Sequence, residues 1–475
     1  MKKKLSKHKY VISTFNEIEN FQEDKHLVFS QTEFEWLKNN PVRLYKSDDY
    51  FSFEIENRAT QLVNKTTEEL DFAFSNFQMI NKEYSYSCLP YTIQKISSGR
   101  KINGTIHSLV KGKKSDFNNK HLRFVQQISK IAKVGCISGA IDLSTDQEIM
   151  YGVGIIRLSF SNYSIDVFRI SKDKQEFIFI DSVQSILIEK FEKIVKAFFQ
   201  IYSYIFGVSC GGESYITSSN SSNFIVTDKI LFNRKQDEKI HDNYIFDSNE
   251  IRKYEFSKSF FQFPCNVFSN MCNRIIIEEK YQRVINIIHE ANLNEYSLST
   301  CILFSSALET ISSLIAKNEK DSKSPIDVDR FTESEIIDKL EENIEKNKIL
   351  EKKDKNFLIN KRLPNLNKPT NVDKLESPFV KYKISLSDDF KKALKYRDKY
   401  LHGSIPKGNK FGTFRANNFN RAYELQFLVN VLTLKYVGYT GFLKNCSAEM
   451  EYYTKKEQGK RDKDIVINHP LYYEI

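Results

Sequence analysis

The stretch LSDDFKKALKYRDKYLHG, residues 386–403, predicts a helix whose two ends are both marked. Ser385 or Ser387 can cap its start, and the two aspartates after Ser387 place negative charge in the first turn, where the helix dipole favours it. Gly403 is a typical stop signal. The stretch therefore predicts one long helix that ends beside a histidine.

One face of this predicted helix combines apolar residues with an arginine. Phe390, Leu394 and Leu401 recur at helical spacing, and Arg397 falls within their stripe. A buried arginine needs a polar partner. His402 lies in the last turn, where the helix dipole stabilises its protonated form. A cation and a proton carrier of this kind are sufficient for a ribose 2′-hydroxyl to attack the neighbouring phosphate without a metal ion.

Four further helical patterns surround this helix in the second half of the chain. They are EEKYQRVINIIHEANL (278–293), SLSTCILFSSALETISSLIAK (297–317), ESEIIDKLEENIEK (333–346) and RAYELQFLVNVLTLKYVGY (421–439). Residues 346–378 are rich in Lys, Asn and Pro, and their prolines exclude a long helix. The second half is therefore predicted to be an all-α bundle with a surface insertion at about 346–378.

The first half is rich in aromatic and β-branched runs between turn signals, which favour strands. The runs are DYFSFEIEN (49–57), FAFSNFQMI (72–80), GVGIIRLSFSNYSIDVFRI (152–170) and QEFIFIDSV (175–183). Two helices are also predicted here: residues 118–134, from the spacing of Leu122, Val125 and Ile128, and residues 182–207, which end in glycine. The fold class predicted is thus α+β, with a mixed, β-rich N-terminal domain and an all-α C-terminal domain.

Composition shifts give the domain boundaries. Residues 217–262 mix a strand pattern, FIVTDKILF (224–232), with polar turn residues, so a linker is expected within them. We predict a β-rich N-terminal domain over 1–235, a linker over 236–270, a helical domain over 271–447 and a polar tail over 448–475.

The net charge and the cysteine content of the whole chain narrow the class of protein. The 475 residues carry a net charge of +10, which favours an acidic partner such as nucleic acid. The seven cysteines are scattered without a paired spacing, which favours a reducing, cytoplasmic setting and argues against a disulfide framework or a thiolate zinc site. The basic start, MKKKLSKHKY, is followed by polar rather than apolar residues, so a secretory signal is not expected. No stretch reaches about 18 uninterrupted apolar residues, the length a spanning helix needs, so a membrane protein is not expected either.

The string YRDKYLHG (396–403) resembles the Arg-x4-His signature of HEPN domains, in particular the RN-x3-HG form of the ApeA-like HEPN family, with Asp398 in place of the usual asparagine. The flanks are similar as well. ALETISS (307–313) resembles an early helix of that family, and LVNVLTLKYVGYTG (428–441) resembles its closing helix and glycine-rich end. The resemblance covers about residues 280–445.

The resemblance implies a helical HEPN bundle and a function. Arg397 and His402 would be the catalytic pair, Asp398 would support the arginine, and Glu309 would be a weaker supporting residue. HEPN ribonucleases act as homodimers, and the ApeA-like members belong to bacterial anti-phage systems. The implied activity is a metal-independent and cofactor-free endoribonuclease of abortive infection. It would cut RNA, with tRNA as a candidate target, and leave a 2′,3′-cyclic phosphate. The N-terminal domain would sense infection or restrain the ribonuclease activity, and its candidate partner would be a phage-derived trigger.

Alternatives stay open at this point. Arg397 and His402 also fit a snorkelling arginine and a helix-capping histidine. A non-catalytic HEPN module that binds nucleic acid or nucleotide, or that only dimerises, would retain the same helices. Two other Arg/His spacings, Arg283 to His289 and Arg100 to His107, lack the helix-end context and are interpreted as coincidental.

The string GVSCG (207–211) matches the G-x-S-x-G pattern of serine hydrolases. That pattern requires a strand before the serine and a helix after it, whereas Ser209 follows a predicted helix. We therefore interpret Gly207 as a helix stop.

Overall fold

The computed structural model divides the chain into two compact units, Met1–Glu279 and Lys280–Ile475. It describes residues 2–31, 39–47, 50–56, 77–80, 85–97, 101–128, 140–142, 155–160, 162–209, 211–235, 239–240, 244–246, 263–294, 298–317, 330–363, 371–401, 411–457 and 470–475. Strands predominate in the first unit and helices in the second. The predicted α+β class and its order along the chain are confirmed.

The first unit contains fifteen described strands. They are β1 (Lys25–Gln31), β2 (Pro41–Ser47), β3 (Tyr50–Glu56), β4 (Phe77–Ile80), β5 (Ser85–Ser97), β6 (Lys101–Lys111), β7 (His121–Ile128), β8 (Ala140–Asp142), β9 (Ile155–Phe160), β10 (Tyr163–Lys172), β11 (Gln175–Ser182), β12 (Val208–Ser209), β13 (Gly212–Ser219), β14 (Lys229–Lys235) and β15 (Lys239–Ile240). Its helices are α1 (Lys2–Gln22), α2 (Ile188–Phe206) and α3 (Cys265–Ile277), with a 3-10 turn at Lys114–Phe117.

Six strands of this unit form a closed ring. They pair in the order β3-β2-β1-β4-β5-β6, and β6 pairs back onto β3. Gly104 lies directly opposite Phe53 at this closure, and a Cβ there would collide with the buried Phe53 ring, so only glycine fits. Helix α1 contributes Phe21, which contacts Phe51 of the ring, and Phe15, which contacts Phe179 of β11, to a core that the ring shares with neighbouring strands. The ring is thus closed by backbone pairing and filled by aromatic side chains.

The sheet continues from β6 through β14, β13, β7 and β11 to β10, all antiparallel. The prediction of a helix over 118–134 is wrong for the described residues, because residues 121–128 form β7. This strand lies between β11 and β13, and Arg123 and Gln126, which a helix would have exposed, are buried. A central strand whose two faces are both covered carries apolar residues on both faces, and such a run can imitate the apolar spacing of a helix.

A buried ion pair joins β7 to β11. Arg123 Nε and Nη2 donate to the two carboxylate oxygens of Asp181, 2.7 and 2.8 Å away, and Nη1 donates to the hydroxyl of Thr14 on α1 at 2.8 Å. The two charged side chains are 1% and 4% exposed. The guanidinium carbon also lies 4.2 Å from the ring centroid of Phe224. The pair therefore fixes α1, β7 and β11 together through desolvated contacts.

Helix α2 confirms the helix predicted to end at Gly207. Gly207 has a φ of 72°, and its N–H donates to the carbonyl of Ser203, which is the expected left-handed cap. Ser209 follows on β12, so the helix precedes the strand, which is the reverse of a nucleophile elbow.

The end of the first unit lies further along the chain than the sequence suggested. Helix α3 packs on α2 and β9, and Phe268 contacts Phe198 with ring centroids 5.3 Å apart. The structure therefore divides the chain at 279/280, whereas we predicted a linker over 236–270 and a helical domain from 271. The apolar spacing of α3 resembles that of a bundle helix, so its packing partner could not be inferred from it.

The second unit is helical. Its helices are α4 (Glu279–Leu293), α5 (Leu298–Lys317), α6 (Arg330–Lys346), α7 (Lys352–Phe357), α8 (Asn371–Lys381), α9 (Asp388–Leu401), α10 (Phe411–Tyr436) and α11 (Cys446–Glu457), with a π-helical turn at Leu358–Arg362. Two short strands, β16 (Phe442–Lys444) and β17 (Tyr472–Glu474), pair with each other. Helix α5 packs against α8, α9 and α10 and forms the centre of the unit.

Two predictions for this unit need correction. The predicted polar tail, 448–475, instead contains most of α11 and all of β17, because Ala448 and Tyr472 find buried positions against the bundle. The predicted surface insertion, 346–378, overlaps α8, which contains Pro378 and buries Leu375 and Phe379. The proline removes one helical hydrogen bond, and the burial of these two apolar side chains offsets that loss.

Among the described helices, α5 alone is long and apolar enough to cross a membrane by composition. Its window Leu298–Ala316 has a mean hydropathy of 1.5, and 56% of it is buried inside the protein. A central helix of a soluble bundle has the same composition, so this is a weak indication of a membrane span. Its packing is compatible with a soluble protein.

Candidate functional site

The helix that carries the predicted site, α9, is built as its sequence indicates. The N–H of Phe390 donates to Ser387 Oγ at 3.3 Å, so Ser387 is the cap. Phe390 and Leu394 are buried, and the Phe390 ring stacks on Phe427 of α10 with centroids 5.0 Å apart. This packing rotates Arg397 into the unit, where it is buried as predicted.

Arg397 meets Glu309, the other predicted residue with a described side chain. Arg397 Nη1 donates to Glu309 Oε1, which joins α9 to the middle of α5. The arginine side chain is 3% exposed, whereas the glutamate is 48% exposed. The carboxylate compensates the buried cation and is itself still hydrated, which makes this arrangement less costly than a fully buried pair. Two residues 88 positions apart in sequence are thus brought together.

The remaining predicted site residues cannot be placed. His402 lies outside the described residues, and for Asp398 only the helical backbone is described. Of the coincidental spacings, Arg283 is exposed on α4, in the same helix as His289, and His107 lies on β6, while Arg100 is outside the described residues.

A cleft of about 530 Å³ opens beside the ion pair. It is lined by Glu309, Ser312, Ser313 and Ala316 of α5, Lys374 and Leu375 of α8, and Arg397 of α9. Its volume is in the usual range for small-ligand sites. Three of the seven lining residues are ionisable, and two of these are cations, so the described lining carries a net positive charge.

Sequence reasoning missed the other five lining residues of this cleft, Ser312 and Lys374 among them. Ser312 follows Glu309 by three positions on a helix, a spacing that places both on one face and could have indicated it. Lys374 lies in the stretch interpreted as a surface insertion, so no signal in the sequence pointed to it.

A second set of polar contacts holds α9 against α10. Arg421 Nη1 donates to the carbonyl oxygen of Asp389 at 3.2 Å and to Glu424 Oε2, and its guanidinium lies 5.3 Å from the ring centroid of Tyr396. Burial raises the pKa of Glu424 to about 7, against the opposing effect of Arg421. The contacts position the first turn of the helix that carries Arg397.

The pH dependence of stability follows from Glu424. Its pKa is higher in the folded protein than the ordinary 4.5, so the folded state binds the proton more tightly and stability falls as pH rises from about 4.5 to 7. The loss is on the order of 3 kcal/mol, because each pKa unit corresponds to about 1.4 kcal/mol. Urea unfolding of the wild type and Glu424→Gln from pH 4.5 to 8 checks this. We expect a flatter profile for the variant, whereas identical profiles would contradict the assignment.

The cysteine near this cluster, Cys301, is fully buried. Burial raises the pKa of the Cys301 thiol to about 12, with a smaller opposing effect of a hydrogen bond from Tyr400. The thiolate is the reactive form, and it is negligibly populated at neutral pH. Within the described ranges, no group of three or more His, Cys, Asp and Glu side chains is arranged to hold a metal ion.

Fold and site together define a two-unit α+β protein whose helical unit presents an arginine–glutamate pair in a cationic cleft. No protein-family model matches the chain, and no curated protein or solved structure matches it significantly.

Proposed function

We propose that the helical unit is a HEPN ribonuclease of the ApeA-like kind, acting in the cytoplasm of a bacterium as part of an anti-phage system. The observation that carries the proposal is the buried Arg397 paired with Glu309 at the edge of the cleft. The sequence resemblance assigned a role to both residues, and the proposal explains why an arginine is buried there.

The proposed chemistry needs a proton carrier and a cation. His402 takes the proton from a ribose 2′-hydroxyl and later returns one to the leaving 5′-oxygen. Arg397 stabilises the charge that develops on the phosphorane, and Glu309 holds the guanidinium in place. The products are a 2′,3′-cyclic phosphate and a 5′-hydroxyl, without a metal ion or cofactor. Asp398 supports the arginine.

Assembly and control complete the proposal. Two copies pair through their helical units so that two Arg-x4-His motifs face one RNA, with tRNA as the candidate target. The strand-rich unit restrains the activity until a phage-derived trigger relieves it. Without such restraint, a ribonuclease of this type would damage its own host.

The test is cleavage of total RNA in excess EDTA by the purified wild type and by His402→Ala. We expect the wild type to cut and the variant to lose at least about 10²-fold in rate, which is the usual contribution of a general acid or base. Cleavage by the variant at the wild-type rate would remove His402 from the mechanism.

A second function is a helical module that binds RNA or nucleotide without cutting it. It is favoured by the cleft volume of about 530 Å³ and its net positive lining, which suit a bound nucleotide. Binding of RNA without any cleavage, equal in the wild type and His402→Ala, would select this alternative.

A further inference from the structure

The cleft beside Arg397 contains three polar side chains to which the proposed chemistry assigns no role, Ser312, the exposed Ser313 and Lys374. Ser312 and Lys374 both line it, from α5 and α8. A second cavity, beside α1, is lined by Lys172, but this lysine already forms an ion pair with Glu19.

Ser312 is buried with its hydrogen-bonding capacity unused. It is 4% exposed, and among the described residues its Oγ has no hydrogen-bond partner. A buried hydroxyl without a partner is destabilising, and such groups are uncommon in folded proteins. Because this hydroxyl lines a cleft, a ligand oxygen is the partner that would relieve the cost.

Lys374 decides the sign of the charge in the cleft. Arg397 and Glu309 are one cation and one anion joined to each other, so together they contribute no net charge. Lys374 is exposed and forms no ion pair with any described residue, and it is the remaining charged residue of the described lining. Without Lys374, the described lining would hold one cation and one anion and would carry no net charge to attract an anion.

We infer that Ser312 and Lys374 form, together with Arg397, a subsite for a phosphate group of a nucleotide chain. The hydroxyl donates to one phosphate oxygen, and the ammonium supplies the net charge that a phosphodiester requires. The cleft is larger than a phosphate alone needs, so the attached nucleoside is held there too. The identity of the ligand as RNA rests on the proposed function, whereas the phosphate chemistry rests on these side chains.

The experiment measures binding of a 2′-O-methyl oligoribonucleotide, which keeps the phosphates but cannot be cut by attack of a 2′-hydroxyl. Fluorescence anisotropy gives the affinity of the full chain and of Lys374→Met and Ser312→Ala at several salt concentrations. The controls are Lys381→Met and Ser377→Ala, which make the same changes on α8 outside the cleft.

We expect Lys374→Met and Ser312→Ala each to weaken binding by about tenfold, as loss of a hydrogen bond to a charged group does. Lys374→Met should also reduce the slope of log affinity against log salt by about 0.7, the value for one phosphate contact on a single strand. Ser312→Ala should not lower the melting temperature, because it removes a hydroxyl that has no partner. The control variants should bind like the wild type.

Two results would overturn the subsite. One is that Lys374→Met and Ser312→Ala both bind the oligoribonucleotide with the affinity of the wild type. The other is a lower melting temperature of Ser312→Ala with unchanged binding, which would make the hydroxyl structural.

A calorimetric comparison identifies the recognised group. We expect a nucleoside 3′-monophosphate to bind the wild type and the unphosphorylated nucleoside not to bind. Equal binding of both would show that the base or sugar is recognised, and the phosphate assignment would be wrong.

Failure of the subsite and failure of the nuclease give different results. If both cleft variants bind the uncuttable strand weakly while the wild type cuts no RNA, the subsite stands and the nuclease proposal fails. If the wild type cuts RNA while both variants bind normally, the nuclease stands and the subsite fails.

Discussion

Replacing Arg397 with glutamine is expected to slow RNA cleavage by about 10²–10³-fold, the usual effect of removing one donor to the developing charge. Glutamine keeps a hydrogen-bonding side chain but removes the cation. Folding should change little, because Glu309 is half-exposed and can be hydrated once its partner is lost. The measurement is single-turnover cleavage of RNA, together with the melting temperature of the variant.

The matched control is Arg283→Gln. Arg283 lies in the same helical unit, on α4, and also precedes a histidine at a similar spacing, but it is exposed and does not line the cleft. The Arg283→Gln variant should cut RNA at the wild-type rate. A folded Arg397→Gln variant that stays within tenfold of the wild type would remove Arg397 from the chemistry.

Asp181→Leu is expected to destabilise the strand-rich unit by about 3–5 kcal/mol, because it leaves the buried Arg123 guanidinium without its carboxylate. This is a large fraction of the stability of an ordinary domain. The double variant Arg123→Met with Asp181→Leu should recover most of the loss, since both buried charges are then replaced by apolar groups. Urea unfolding followed by circular dichroism measures the stability of the wild type and of both variants.

Asp24→Leu is the comparison for that series. Asp24 also accepts two hydrogen bonds from one arginine, Arg43, but both side chains are about half exposed. Water can replace the lost partner there, so the effect should be much smaller. Equal effects of the two aspartate substitutions would contradict the importance assigned to burial.

Several helices of both units could be predicted because their signals are local. Ser387 caps α9, Gly207 ends α2, and the apolar spacing of α9 turns Arg397 inward, all within a few residues of sequence. Arg397 and Glu309 were both candidate site residues because each resembles a family pattern, and their pairing was not predicted, since 88 residues separate them.

The wrong predictions concern elements whose structure depends on packing partners that are distant in sequence. Strand β7 was interpreted as a helix because the strands that flank it in the sheet, β11 and β13, come about 50 and 90 residues later. Its two faces are covered by α1, which contacts Arg123, and by α2, which contacts Phe124. The tail strand β17 exists through pairing with β16, and the polar sequence before it gives no sign of this. Lys374 reaches the cleft because α8 packs on α5 despite Pro378, which sequence rules treat as a helix breaker.

The chemistry of the cut ends tests the central claim most directly, because a 2′-hydroxyl attack leaves a distinctive pair of products. An RNA cut by the wild type in EDTA should carry a 2′,3′-cyclic phosphate and a 5′-hydroxyl. The same RNA with a single 2′-deoxy substitution at the cleaved nucleotide should resist cutting there. Cleavage at the deoxy position, or fragments ending in a 3′-hydroxyl, would contradict the account.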